Sequence, residues 1–95
     1  MTGDITGELA VIEDTKLVGR HKKIHKRRCV VYSGKGPMAI DFTYDEVELL
    51  DEYEVGDRVS IFCILEGREY TKPGGEKQYF LSLRGVGIDR VEKDK

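Results

Sequence analysis

The chain has no tryptophan, two prolines and two cysteines in 95 residues. Scarce proline beside frequent glycine fits turn-rich strands better than helices. Cys29 and Cys63 lie inside apolar runs at a spacing that matches no zinc or redox motif, so two buried thiols in a reducing cytoplasm are expected. No apolar run approaches the ~20 residues of a membrane helix, and the polar, acidic start MTGDITGE is not a signal peptide. These features predict a cytoplasmic protein with no membrane partner. Catalytic signatures are missing too. There is no glycine-rich phosphate loop ahead of a helix, no Ser-His-Asp grouping and no metal motif. His21, His25 and Cys29 stand four apart, but lysines and arginines crowd them and disfavour a divalent cation. No enzyme, no metal and no cofactor are expected.

The most informative absence is local. Lys16–Lys35 (KLVGRHKKIHKRRCVVYSGK) holds eight lysines and arginines and no acidic residue, about +8 within a chain of net charge −2. The rest of the chain must then carry about −10, so a positive edge sits on a negative body.

Length and composition fit one domain, 1–95, with a core from about residue 4 to 91 and loose tails at 1–3 and 92–95. Eleven glycines and many β-branched residues favour turn-rich strands. Alternation predicts strands over Asp4–Asp14, Arg28–Ser33, Pro37–Phe42, Arg58–Glu69 and Gln78 to about Val91. Residues 15–26 read as a basic connection, 33–36 as a turn and 70–77 as a hairpin loop. Thr43-Tyr44-Asp45-Glu46 has the spacing of a capping box, with Phe42 and Val47 as its staple. It predicts a short helix from Tyr44 to about Tyr53 with Val47, Leu50 and Tyr53 inward. Strand-strand-strand-helix-strand-strand is the order of an all-β five-stranded OB-fold, a Greek-key barrel with one short helix.

From Glu46 onward the text resembles a bacterial family of short, stand-alone OB-fold proteins, described as a domain of unknown function and compared with single-stranded DNA-binding proteins. The matching pieces are VELLDEY, Val55-Gly56-Asp57, Glu66-Gly67-Arg68-Glu69-Tyr70 and Tyr79-Phe80. Gly19 to Val31 resembles that family's basic entry into strand two. The resemblance implies an OB-fold with nucleic-acid affinity and no catalytic residue. Members carry tryptophans near the helix start and in the last strand, where this chain has Thr43 or Tyr44, and Val86.

In an OB-fold the loops after strands one and four flank the oligonucleotide groove. Arg20, Lys22, Lys23, Lys26, Arg27 and Arg28 lie in or beside the first, and Lys72 and Lys77 in the second. They are the candidate phosphate contacts. Tyr32, Tyr70 and Tyr79 are candidate stacking rings, each worth about 1–3 kcal/mol per base. The expected function is binding of single-stranded DNA, or RNA second, with little sequence preference. A module gripping a protein partner, or a homodimer, is the alternative. Self-pairing of the basic segment with the chain's own carboxylates would leave it a solvated loop.

Overall fold

A computed structural model describes residues 1–19, 21 and 23–91. Among these are six strands and one 3-10 helix: β1 (Thr2–Ile12), β2 (Lys16–Val18), β3 (Ile24–Ser33), β4 (Gly36–Thr43), the 3-10 helix (Tyr44–Glu52), β5 (Arg58–Thr71) and β6 (Lys77–Arg90). They form one sheet in the order β1-β5-β6-β4-β3-β2, with a further antiparallel pairing of β1 to β3.

The five-stranded Greek-key barrel expected from the sequence is corrected on two points. Part of the supposed basic connection is a strand, because Lys16–Val18 pairs antiparallel with Ile24–Lys26. The sheet is also mixed, because β4 meets β6 in parallel through Asp41 and Arg84. The helix differs as well. It winds as 3-10, and Thr43 makes no side-chain capping bond, so the capping-box spacing does not operate as one. Val47 and Leu50 are nevertheless its buried residues, as expected.

Alternation is what builds the core. Cys29 and Val31 of β3, Ile40 and Phe42 of β4, and Val59, Ile61 and Cys63 of β5 are buried, and their neighbours on either side face outward. β1 breaks parity once. Its register against β3 shifts between Leu9 and Val11, so Ala10 is the extra residue of a bulge. Beyond it Ile12, opposite Cys29, packs against the core, while Val11 turns out to solvent. Thr2 and Gly3 already pair with Ile64 and Cys63, so β1 begins before Asp4. Burial pushes the Cys29 thiol up to about 12 and the Cys63 thiol to about 11, which keeps both protonated and unreactive at neutral pH.

The 3-10 helix covers one end of the core, and Arg27 fastens it there. Arg27 shares the inward parity of Cys29. Its Nε donates to the Glu13 carbonyl (2.8 Å), and its Nη1 donates to the Val47 carbonyl (3.3 Å) and the Asp51 carboxylate (2.6 Å). At the other end β5 and β6 run on together as a hairpin arm out to a turn over residues 72–76. The arm helps to draw the molecule out to 55 × 28 × 20 Å. No helix among the described residues is long and apolar enough to cross a membrane.

Candidate nucleic-acid interface

The site is built on the outward parity of β3 and β4. Lys26, Arg28, Val30 and Tyr32 alternate along β3, and Asp41 and Thr43 face the same way on β4, with Arg28 directly opposite Asp41. Where β4 meets β6, the outward side chains of the arm join them. Glu66 pairs with Ser82, Arg68 with Phe80 and Tyr70 with Gln78, so these six share one face of the arm. The groove between has a volume of about 570 Å³, and Lys26, Arg28, Asp41, Glu66, Arg68 and Arg84 line it. Four cations face two carboxylates.

The charges are organised rather than loose. Asp41 accepts from Arg28 Nε at 2.8 Å and Nη2 at 3.2 Å, and Lys26 Nζ lies 3.3 Å away. Burial alone would raise the Asp41 carboxyl. The Arg28 hydrogen bond and the Lys26 charge outweigh it and hold the group below its ordinary range. The same hydrogen bond raises Arg28 further above its usual value. Arg84 Nε donates to Glu66 at 3.2 Å. Arg68 makes no ion pair among the described residues.

The sequence-predicted residues are only partly brought together. Lys26 and Arg28 are in the groove. Lys23 is exposed just before β3, and Lys72 is in the turn of the arm. Arg20 and Lys22 lie outside the described residues. Arg27 points inward and holds the helix, so it is not a free phosphate contact. Lys77 pairs with Glu69 at 3.4 Å. Tyr32 is exposed on the same strand face as Arg28, but it does not line the groove. Tyr70 was expected on the hairpin loop and Tyr79 in the last strand beside it. Both are on strands, and their one-residue offset in register puts Tyr79 on the arm's opposite face, with Leu81.

Four residues were missed in the sequence: Arg68, Arg84 and Tyr44, which line the groove, and Phe80, which stands opposite Arg68 on the same face of the arm. Arg68, Arg84 and Phe80 are visible only once the β5–β6 register is known. Tyr44 carried a signal in the family resemblance, where it or Thr43 stands at a tryptophan position. It lines the groove, is well exposed and has φ +54°, the one non-glycine positive φ among the described residues. A bulky side chain in that region costs about 1–2 kcal/mol. Tyr44→Gly should therefore be about 1 kcal/mol more stable than Tyr44→Ala in urea unfolding, which reverses the usual order of the two residues in a helix. Equal stabilities, or alanine ahead, would show that the position is relaxed.

Comparison with known proteins places this architecture. A family model described as "Domain of unknown function (DUF3127)" matches residues 4–89. The mitochondrial single-stranded DNA binding protein Rim1 from S. cerevisiae is similar over 99% of this chain and 96% of its own, with TM-score 0.65 and 18% identity. The second OB-fold domain of replication protein A from Methanococcus maripaludis is similar over 100% and 88%, with TM-score 0.67 and 15% identity. The second single-stranded DNA binding protein of Mycobacterium smegmatis gives 100% and 98%, TM-score 0.66 and 13% identity. No curated protein matches the chain. At these identities the likeness is one of fold. The chain has an OB fold, and six strands in a mixed sheet are its version of it.

Proposed function

The chain belongs to the DUF3127 family, and we propose that it binds single-stranded nucleic acid, DNA ahead of RNA, with little sequence preference and without catalysis. One observation carries this reading. The groove holding Lys26, Arg28, Arg68 and Arg84 continues onto the arm face that presents Tyr70 and Phe80, both more than half exposed. Cations track a backbone and rings take bases, and neither reads sequence. The solved proteins of similar fold are themselves named for binding single-stranded DNA or as part of replication protein A. Lys23 and Lys72 extend the cationic path, and Tyr44 offers a ring at its far end.

A fluorescent oligo-dT titration at several salt concentrations tests the proposal. Four phosphate contacts to a single strand, from Lys23, Arg68, Lys72 and Arg84, give a log–log slope near about −3. Changing Lys22, Lys23 and Lys26 together to Glu should abolish binding and leave the unfolding transition in place. No binding by the unaltered protein at low salt would remove the reading.

A second reading has its own observation. Ile5, Met38, Leu65, Leu81 and Leu83 line an apolar recess of about 480 Å³ that takes in the arm face opposite Phe80. Such a surface suits a protein partner, a second copy of the chain included. A cytoplasmic setting fits both readings.

A further inference from the structure

We propose that Asp41 is a built-in competitor for the strand's phosphates, a carboxylate that occupies the two best-placed cations of the groove and limits how tightly the groove can hold its ligand. The inference rests on the nucleic-acid reading above.

The geometry is that of a ligand already in place. The Arg28 guanidinium presents Nε and Nη2 as a fork to the two Asp41 oxygens, the bidentate arrangement it would offer two phosphate oxygens. Lys26 closes on the same carboxylate from the side, at Oδ2. Asp41 stands between Ile40 and Phe42, which are fully buried, yet its own side chain faces the groove and keeps only 15% of its exposure. It is thus an anion sunk into the floor of a cationic groove, at the residue where β4 meets Arg84 of β6. The core does not require it there, since its parity is outward. Glu66 does less of the same to Arg84, through a single hydrogen bond at 3.2 Å.

A strand entering the groove must take Arg28 and Lys26 away from Asp41. Each phosphate bound there displaces the carboxylate from a cation, so these two side chains add little net affinity and little counterion release while Asp41 is ionised. Removing its charge should return both to the ligand.

The test is Asp41→Asn, which keeps the shape and one acceptor oxygen, titrated with labelled oligo-dT across a salt series. Affinity at low salt should rise about tenfold. The log–log slope should steepen by about 1.4, the contribution of two further phosphate contacts. A merely structural role would not move that slope. Affinity unchanged or reduced, with an unchanged slope, overturns the inference and leaves the nucleic-acid reading standing. If neither protein binds at low salt, both fall. Binding by Asp41→Asn alone supports the inference in its strongest form. Asp41→Ser is the second variant. Should both variants fail to fold by circular dichroism, Asp41 is a structural residue and the inference is overturned.

Discussion

Gly85→Ala should unfold the protein or lower its thermal midpoint by more than about 10 °C, the equivalent of roughly 2–3 kcal/mol in a domain of this size. Gly85 is buried opposite Cys63, and a Cβ built there would stand 2.5, 2.6 and 2.9 Å from ring atoms of Phe42. Phe42 is fully buried and belongs to the central cluster. Its ring can yield only by displacing other core side chains. Gly67 in the facing strand is the control, since nothing lies within 4 Å of a Cβ there. Gly67→Ala should leave the midpoint within a degree or two. Circular-dichroism melts of the two variants decide the matter, and a Gly85→Ala protein as stable as its parent would show that Phe42 has room to move.

Tyr70→Ala combined with Phe80→Ala should weaken oligo-dT binding by about 30-fold to about 20,000-fold, the loss of two stacking platforms at about 1–3 kcal/mol each. Both rings are more than half exposed on the groove side of the arm, so the double change should cost little stability. Tyr79→Ala is the contrasting variant. It removes an even more exposed ring, but from the other face, and should leave binding within about twofold. Equal losses from the two sets would mean that the strand wraps the arm rather than tracking one side of it.

What could be read from the chain before its structure follows from how local each signal is. Val47 and Leu50 were legible because helical spacing puts them on one face, whether the turn closes as α or 3-10. Alternation in Pro37–Phe42 placed Ile40 and Phe42 for the same reason, whereas Arg58–Glu69 is apolar on both parities and its sequence did not show that Phe62 faces out. β2 was not legible. Lys16-Leu17-Val18 is too short to show a period, and its strand character comes from pairing with Ile24–Lys26. The inward turn of Arg27 was hidden because a guanidinium counts as surface until the Glu13 and Val47 carbonyls are seen to accept from it. The basic segment was legible as charge, but the carboxylates that answer it were not. Asp41 lies thirteen residues beyond Arg28, and only the β3–β4 register sets them side by side. Arg68 and Arg84 escaped notice because neither belongs to a run of like charge.

The meeting of β4 with β6 has a further consequence. On one flank the two halves of the sheet are laced to β1 along many residues, whereas on the other they touch at Asp41 and Arg84. The first flank therefore behaves as a spine and the second as a clasp, held by one backbone pairing and by the Phe42 ring packed against Gly85. Because the clasp runs beneath the groove, the aromatic packing inside the core also fixes the floor on which the charged face is laid.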